Sequence, residues 1–597
     1  MAFWAIFLLL AVAVSTVAAR ETFDDEDFTS YVTLPKNKIL KWKVTYHDRE
    51  AVAPGYWFVA PYYVNGNEPH TGRWMPCQIG AHIFDQDGEL VWAGSCLHDN
   101  ENIFDFRMSD AMDPEHQHLT MIVEMPWAHE SDLGTAVIYN DRYEETTRMK
   151  VFNTHEFWPY SSTRAMAVAH RNERRSLAEL GQPDRSWQIQ TGGFDEMDLT
   201  TGEVLWEWNS RDVITLDESF VADPIERCPM SPGADYLHVN AIDRNERGDF
   251  LLSARHTDGI YFISGEDHQL KWRLGGKKSD FKLVDFTFSR QHHARFHEVN
   301  DTHMVVSMLN NGADMVSTQE RTSSGLYVLL DLQAMEARLL RRYLRPDGGS
   351  TQLRGNMQTL PNKNVLMGWS KNGYMSEFTH DGRLLMEAEF ASDRFSTYRT
   401  YKFPWVGKPS TPPTLMASVH GTNDSDLSTV FHVSWNGATE VRHWRFRAQA
   451  SEQAAPVELD TVAKTGFETV YISHGYMDWV SVEALDADQN SLGTSEIIRS
   501  SAPEYWPEDA ALPTADDPST INNSTAYAHP HRTAGSTSST VSLGIFLLGV
   551  LSTLAAMFLL RSCTRLRPWF RRAGGRGYSA VNSDEQEDID LTKGASV

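Results

Sequence analysis

Short apolar runs that alternate with polar residues dominate the chain between about residue 55 and residue 405. No long segment there repeats its apolar residues at the spacing of a helix face. Asn-Gly, Asp-Gly and Pro-Asn pairs separate the runs, and such pairs are typical of tight turns between antiparallel strands. The pattern therefore predicts consecutive β-hairpins and an all-β fold.

A unit of two strands joined by a polar turn recurs six times in this region, at residues 81–94, 135–152, 192–208, 259–274, 325–343 and 373–390. Further apolar runs precede the later copies and give four strands in each unit, at residues 238–258, 293–311 and 356–372. Six such units predict a six-bladed β-propeller over residues 20–408, because sheets arranged in a ring leave few exposed edges.

The pattern changes from about Thr411 onwards. About seven short alternating strands follow over roughly 90 residues, which is typical of an immunoglobulin-like or fibronectin-like β-sandwich. We expect this second domain at residues 409–500. Residues 501–540 are rich in Pro, Ser, Thr and Asp, which predicts a disordered stalk.

Two apolar segments predict a membrane-anchored ectodomain. Residues 1–19 form a short run that ends in small residues, as a cleaved signal peptide does. Residues 541–560 contain no charge and are long enough to cross a bilayer as a helix. Six arginines follow, which favours a cytoplasmic tail at 561–597. A GPI-anchor signal is the alternative, but this tail argues against it. We expect a single-pass type I protein of the secretory pathway or the cell surface.

Composition limits the partners and the disulfides. The chain has 80 acidic and 54 basic residues, and this acidic excess disfavours a nucleic-acid partner, which needs its phosphates neutralised. Four cysteines in 597 residues exclude a disulfide-built scaffold. Cys77 and Cys96 flank a hairpin whose turn is at Asp85–Gly88, so they are nearly opposite each other and are predicted to form a disulfide. Four sequons predict N-glycosylation, at Asn300, Asn423, Asn522 and Asn523.

Polar residues gather where the later units begin. In a propeller the first strand of each blade lines the central channel, so residues at these starts converge. His238 and His292 open the fourth and fifth units, and Asn356 and Gln358 stand at the start of the sixth. A single histidine is more often structural than functional, but two at equivalent places in neighbouring blades indicate a shared channel site.

Five motifs, taken in order, carry a resemblance to a known family: DYLHVNAIDRNERGDFLLSARHTDGIYFI, LKWRLGGKKSDF, QHHARFH, GNMQTLPNKNVLMGWS and YRTYKFPWVGKP. Over about residues 55–405 the chain resembles the arylsulfotransferase (ASST-like) family, in particular its eukaryotic, largely fungal branch. The resemblance implies a six-bladed propeller that transfers a sulfuryl group from an aryl sulfate to a phenol through a transiently sulfated channel histidine. We expect no cofactor and no metal ion.

On this resemblance, His238 and His292 are catalytic residues in the channel, and Arg321 is the cationic clamp, with Arg295 as its rival. The expected substrate-binding residues are Asn240, Arg255, His256, Arg295, Asn356 and Gln358. A neutral imidazole suits the reaction because it is a good nucleophile near neutral pH. Positive hydrogen-bond donors would stabilise the departing phenolate. For either arginine alone, an ion pair between blades is the plainer explanation.

The sequence departs from the family pattern in the sixth unit, where Gly355–Gln358 holds no histidine. If the sulfated histidine belongs to that blade, His238 or His292 replaces it, or no transfer occurs. One hypothesis is therefore a membrane enzyme with a small phenolic or sulfated molecule in its channel. The other is a non-catalytic ligand-binding or adhesion ectodomain with a protein partner on the sandwich. Convergence of both histidines and an arginine on one cavity favours the first, and an apolar plug favours the second.

Overall fold

The computed structural model describes residues 27–63, 77–124, 134–228, 233–421 and 426–502. Within these ranges the backbone is all-β, and its helical segments are five single 3₁₀ turns, at Arg49–Ala51, Ala178–Leu180, Ser210–Asp212, Leu216–Glu218 and Ile225–Arg227. No helix in the described ranges has the length and apolar character needed to cross a membrane. The predicted signal peptide, membrane helix, cytoplasmic tail and nearly all of the stalk lie outside the described residues, as do Asn423, Asn522 and Asn523.

The described residues between Trp42 and Phe403 include six antiparallel sheets, numbered here 1 to 6 in the order in which neighbours contact. The strands of sheet 1, from the innermost outwards, are Phe395–Phe403, Tyr56–Tyr63, His82–Phe84 and Leu90–Ala93. Those of sheet 2 are Ile103–Ser109, His118–Glu124, Gly134–Tyr139 and Glu145–Val151. Those of sheet 3 are Phe157–Pro159, Arg164–Leu177, Gln182–Asp198 and Val204–Asn209, with Ala234–Asp235 added in parallel.

The other three sheets have the same meander. The strands of sheet 4 are Val239–Arg244, Phe250–Ala254, Gly259–Ile263 and Leu270–Gly275. Those of sheet 5 are His292–Val299, His303–Asn310, Ser324–Asp331 and Glu336–Leu344, with Lys282–Val284 added in parallel. Those of sheet 6 are Asn356–Thr359, Val365–Gly368, Met375–Phe378, Leu384–Phe390 and Trp42–Tyr46. A separate two-stranded sheet joins Phe28–Thr29 to Ile39–Leu40.

Each sheet contacts the next one, and sheet 6 contacts sheet 1, so the arrangement is closed and propeller-like. Each of the six hairpins that recur in the sequence forms the third and fourth strands of one sheet. Apolar side chains fill the spaces between sheets: Leu251 and Ile260 of sheet 4 and Met308 and Leu326 of sheet 5 belong to one cluster and are fully buried. Burial of such side chains stabilises the fold by about 1.5–3 kcal/mol each.

Strands from the two ends of this region close the arrangement in a way that the hairpin repeat did not predict. The innermost strand of sheet 1 is Phe395–Phe403, which comes from the far end of the region and pairs with Tyr56–Tyr63. The outermost strand of sheet 6 is Trp42–Tyr46, which comes from the near end. A buried ion pair between Lys402 and Glu377, at 2.9 Å, joins sheet 1 to sheet 6.

Residues 414–499 form two further antiparallel sheets around their own apolar cluster. One contains Thr414–His420, Ser428–Ser434 and Thr469–His474, and the other contains Val457–Ala463, His443–Gln449, Trp479–Leu485, Ser491–Thr494 and Ile498–Arg499. Asn436 donates to and accepts from the backbone of Ala93 in sheet 1, at 3.0 and 2.8 Å. This second unit is therefore sandwich-like and is held against the first by paired hydrogen bonds.

Two covalent predictions concern described residues. Cys77 and Cys96 are joined in a disulfide with a Cα–Cα distance of 5.3 Å. Asn300 is exposed in the turn between two strands of sheet 5, where its Oδ1 accepts hydrogen bonds from the backbone of Thr302 and His303. Its glycosylation remains a prediction, and the turn leaves the residue accessible.

Candidate functional site

The predicted histidines lie at the starts of the innermost strands. His238 directly precedes Val239–Arg244 of sheet 4, and His292 is the first residue of the innermost strand of sheet 5. Their positions are close but not equivalent, because Val239 rather than His238 pairs with the second strand, whereas His292 itself does so. The cause is backbone geometry: His238 has a φ of +52°, and a bulge follows it at Asn240.

The carboxylate of Asp235, three residues earlier in the chain, holds His238 in place. Its backbone N–H donates to Asp235 Oδ1 at 2.8 Å, and its Nδ1 lies 2.6 Å from Asp235 Oδ2. Burial by itself raises the pKa of Asp235, but the charge of His238 and these hydrogen bonds outweigh it and hold that pKa well below its usual range. Asp235 is therefore an anion that orients the imidazole and compensates positive charge on it.

A third histidine, His155, which the sequence pattern did not predict, contacts His238. The Nε2 atoms of His155 and His238 are 3.2 Å apart, and their rings are almost perpendicular. His155 Nδ1 lies 2.5 Å from Asn153 Oδ1, and Asn153 Nδ2 lies 3.1 Å from His170 Nδ1. His155 stands two residues before the innermost strand of sheet 3, near the place that His238 has before that of sheet 4, but Phe157–Pro159 is too short to give a clear signal in the sequence.

His256 and Arg255 extend the cluster along sheet 4. The ring of His256 lies 4.7 Å from that of His238, and its Nδ1 is 2.7 Å from the backbone oxygen of Asp235. An Nη atom of Arg255 lies 3.2 Å from His256 Nε2. Both residues are buried. The structure therefore brings two of the predicted substrate-binding residues beside His238.

His292 is held in a single tautomer. Its Nδ1 lies 2.8 Å from Asn311 Oδ1, and Asn311 Nδ2 donates to the backbone oxygens of Thr351 and Arg354. Because those carbonyls only accept, the amide orientation is fixed and Nδ1 of His292 must donate. Burial and then the charge of Arg255 place the pKa of His292 well below its usual range, and His238 and His155 contribute in the same direction. His292 is thus neutral, with the lone pair on Nε2.

Arg295 is engaged in a buried ionic network rather than directed at a ligand. Its guanidinium pairs with Glu156, which also lies 3.5 Å from Arg107 and 3.3 Å from Arg399. Asp105 adds a second carboxylate, 2.7 Å from Arg399. Burial raises the pKa of Glu156, but the three arginines overcome this and hold it low. An ion pair between sheets, the plainer explanation of Arg295, is what the structure contains.

Of the other predicted site residues, three are hydrogen-bonded to backbone groups and one is exposed. Asn240 Nδ2 donates to the backbone oxygen of Gln291, Asn356 exchanges hydrogen bonds with the backbone of Thr400, and Gln358 does the same with Lys402. These amides join one sheet to the next because each satisfies backbone groups that the neighbouring inner strand leaves open. Arg321 is exposed in the loop after His303–Asn310, and within the described ranges no ion pair or hydrogen bond joins it to a histidine.

A small cavity lies beside His238, lined by Asn153, His155, Ala169, His170, Gln190, Gly192, Asp235, His238 and Val239. Its volume of about 10 Å³ accommodates about one water molecule. Asp235, His238 and His256 place one metal-ligating atom each within 4.8 Å of one another. However, the Asp235 carboxylate is bonded to His238, and the Arg255 guanidinium beside His256 repels a metal cation. This environment suits anions better than metal cations.

Three comparisons place the chain among known proteins. Residues 127–391 match the family described as Arylsulfotransferase (ASST). No curated protein sequence matches the chain. A solved structure of a protein of unknown function from Bacteroides caccae has 14% identity and a TM-score of 0.31, and the match covers 59% of this chain and 99% of that chain. The GH43 BlXynB protein from Bacillus licheniformis has 7% identity and a TM-score of 0.23, and the match covers 67% of this chain and 88% of that chain.

Both TM-scores are too low to indicate a shared fold, so the family match is the informative comparison. It covers less than half of the 597 residues but includes His155, His238, His256 and His292. Over residues 127–391, the stretch that carries all four histidines of the site, this chain is similar to the arylsulfotransferase (ASST) family.

Proposed function

We propose that the protein is arylsulfotransferase-like and transfers a sulfuryl group from an aryl sulfate to a phenolic acceptor, with His292 as the residue that carries the group between them. The observation that supports this most directly is the fixed tautomer of His292. The Asn311 amide holds the proton on Nδ1, which leaves the nucleophilic lone pair on Nε2. His292 thereby takes the role that Gly355–Gln358 cannot supply.

The electrostatics of the site support a neutral nucleophile among cations. The low pKa of His292, which burial and Arg255 produce, keeps the imidazole neutral throughout the physiological range. Neutral imidazole is a nucleophile, and a sulfated imidazole is a good leaving group. The Arg255 guanidinium lies close enough to influence His292, and it would stabilise negative charge on sulfate oxygens.

The reaction has two balanced halves. In the first, His292 Nε2 bonds to sulfur, the S–O ester bond breaks, and the phenolate departs and takes a proton from His238, which Asp235 supports. In the second, the phenolic acceptor returns a proton to His238 and its oxygen bonds to sulfur. The N–S bond then breaks and His292 is regenerated. No nucleotide donor, oxidant or reductant is needed.

The finer architecture is part of the same proposal. The closed contacts of sheets 1 to 6 and the sixfold hairpin repeat support a single six-bladed propeller. The apolar run at 541–560 and the arginines after it support a membrane-anchored protein with this site outside the cytosol. The five motifs support a place in the eukaryotic branch of the family. The disulfide Cys77–Cys96 is consistent with an oxidising compartment.

The test is a transfer assay on the full-length protein in detergent, with 4-nitrophenyl sulfate as donor and 1-naphthol as acceptor. The proposal predicts release of 4-nitrophenol that depends on the acceptor, and a loss of at least about 100-fold in His292→Ala. His303→Ala is the matched control, because His303 is the half-exposed first residue of the second strand of sheet 5 and its replacement should leave the rate unchanged. Absence of transfer by the wild-type protein, or full transfer by His292→Ala, would reject the proposal.

One observation favours a second candidate, a non-catalytic ligand-binding ectodomain. The cavity beside His238 holds only about one water molecule, and Asn356 and Gln358 bind backbone rather than facing a ligand. This candidate predicts that 4-nitrophenyl sulfate binds, as measured by calorimetry, without release of 4-nitrophenol at any acceptor concentration.

A further inference from the structure

A chain of hydrogen bonds links sheet 3 to sheet 4 through Asn153, His155, His238 and Asp235. We infer that His155 and His238 share one proton between their Nε2 atoms, so that the pair forms a single imidazolium cation held by Asp235, with His155 as the positioning residue. Its use in catalysis rests on the proposed function. Its protonation state does not, because it is argued from the contacts and charges of Asn153, His155, His238 and Asp235.

The proton on His155 Nδ1 is assigned by Asn153. The backbone N–H of His155 donates to Asn153 Oδ1 at 2.7 Å, which identifies that atom as the amide oxygen. The amide oxygen only accepts, so His155 Nδ1, 2.5 Å away, must carry a hydrogen. The amide nitrogen of Asn153, Nδ2, then donates to His170 Nδ1, so both polar atoms of this amide have the role that the assignment requires.

The proton on His238 Nδ1 is assigned by Asp235. One carboxylate oxygen accepts from the His238 backbone at 2.8 Å, and the other lies 2.6 Å from Nδ1. These two contacts, and attraction to His238, outweigh the effect of burial and hold the pKa of Asp235 below its usual range, in keeping with an ionised carboxylate. An ionised carboxylate only accepts. His238 Nδ1 therefore carries a hydrogen too.

Because both Nδ1 atoms carry a hydrogen, a further proton is required between the two Nε2 atoms that face each other. If both rings were neutral, two Nε2 lone pairs would face each other at 3.2 Å and repel. One added proton turns this contact into an N–H···N hydrogen bond and gives the pair one positive charge. Asp235 supplies the matching negative charge, which makes the arrangement neutral overall and lowers the cost of its burial.

The groups that face the pair come from four sheets. Asp235 lies in the short strand Ala234–Asp235 that is added to sheet 3, and Arg255 and His256 directly follow the second strand of sheet 4. His170 of sheet 3 adjoins through Asn153. His292 of sheet 5 lies close enough for His238 and His155 to lower its pKa. The ring of Tyr398 in sheet 1 lies 5.8 Å from that of His155.

The pair complements His292 chemically. A cation beside a neutral nucleophile attracts the sulfate ester, and its shared proton passes to the phenolate oxygen as the S–O bond breaks, which leaves the pair neutral. The phenolic acceptor restores that proton in the second half of the reaction. Between turnovers no substrate oxygen is present to accept the shared proton. The Nε2 lone pair of His155 then accepts it from His238, so the proton stays on the pair.

The direct test is NMR of the full-length protein labelled with ¹⁵N-histidine, with metal content measured on the same sample. At pH 7.5 the inference predicts that both Nδ1 atoms of the pair are protonated and that the Nε2 resonances belong to one shared proton. A neutral His155 and His238, or a stoichiometric metal ion that His256→Gln removes, would overturn it. This readout works on an inactive protein, so it fails or succeeds independently of the transfer assay.

A kinetic test measures kcat/KM against pH for three variants and compares the pH at which activity falls on the alkaline side (the alkaline limb). His155→Ala removes the acceptor, so the limb should move to lower pH by about one unit. His155→Gln keeps an oxygen acceptor and should restore most of that shift. His297→Gln is the control, because His297 lies on the same inner strand as His292 and its Nε2 bonds to Ser307. An unmoved limb in His155→Ala would show that the residue is merely structural.

Discussion

At the residue scale, the chemistry depends on how each imidazole is held. Three of the four histidines, His155, His238 and His292, precede or begin inner strands, and His256 follows the second strand of sheet 4. Each has its Nδ1 beside an oxygen atom. The sequence identified His238, His256 and His292, since their motifs could be read directly. It missed His155 because the inner strand that follows it, Phe157–Pro159, is only three residues long and gives little pattern.

Replacing Asn311 by Asp should change the pH dependence of transfer. The carboxylate still accepts from His292 Nδ1, but its negative charge favours the protonated imidazole, which is not a nucleophile. The acid limb of kcat/KM should therefore move to higher pH by about one unit or more, with activity recovered under alkaline conditions. A pH profile identical to that of the wild type would show that Asn311 does not control the protonation of His292.

Buried neutral histidines should also make stability fall in acid. Burial lowers the pKa of His82 to about 4, whereas the unfolded residue keeps the usual value. The unfolded state therefore binds the proton first, and stability is lost as the pH falls from about 6.5 towards 4. The loss assigned to His82 is of the order of 3 kcal/mol at the end of that window.

The measurement for His82 is the difference in unfolding free energy between wild type and His82→Gln at several pH values. Asp243 acts in the opposite direction, since burial raises its pKa to about 6, so the whole-protein curve mixes several groups. The difference between the two proteins should shrink as the pH falls, because the glutamine has no proton to gain. A difference that is constant from pH 7 to pH 4 would contradict the assignment.

At the element scale, the hairpins were predictable and the contacts between sheets were not. Alternating apolar runs and turn residues fix the third and fourth strands of every sheet, because those patterns are local. Asn240, Asn356 and Gln358 were expected to bind substrate, yet they bind the backbone of the next inner strand. A polar residue at a strand start looks the same in sequence whether it faces a ligand or a neighbouring strand.

Asn356→Ala should therefore reduce stability and leave transfer per folded molecule unchanged. The fully buried amide both donates to and accepts from Thr400, so its removal leaves two buried backbone groups unpaired. The expected cost is about 1–3 kcal/mol in a denaturant titration. Gln333→Ala, in an exposed turn, is the control. If Asn356→Ala has the stability of the wild type but a raised KM, Asn356 binds substrate instead.

At the scale of the whole molecule, closure depends on residues that are far apart in sequence. The repeat predicted a ring but gave no indication of which strands would join its ends. Those strands, Trp42–Tyr46 and Phe395–Phe403, pair with sheets that lie more than 300 residues away along the chain. Long-range side-chain contacts such as the Lys402–Glu377 ion pair and the packing of Trp42 on Phe390 join these strands, and none of these residues is distinctive in a single sequence.

Breaking the Lys402–Glu377 pair should weaken this closure strongly. Both side chains are almost fully buried, and Glu377 also accepts from the Ala53 backbone and Asn364. Lys402→Met alone leaves a buried carboxylate uncompensated and should cost about 3–5 kcal/mol. The double variant with Glu377→Gln should cost less than the two single changes added together, as measured by denaturant unfolding. Additive losses would show that the two charges do not interact.

The central claim is that His292 carries the sulfuryl group, and the most direct measurement is to trap it there. Full-length protein is mixed with 4-nitrophenyl sulfate without acceptor, quenched in alkali and digested for mass spectrometry. The account predicts one sulfuryl group on the His292 peptide, absent in His292→Ala and removed when 1-naphthol is added before the quench. A sulfuryl group on another residue, or none while transfer proceeds, would contradict it.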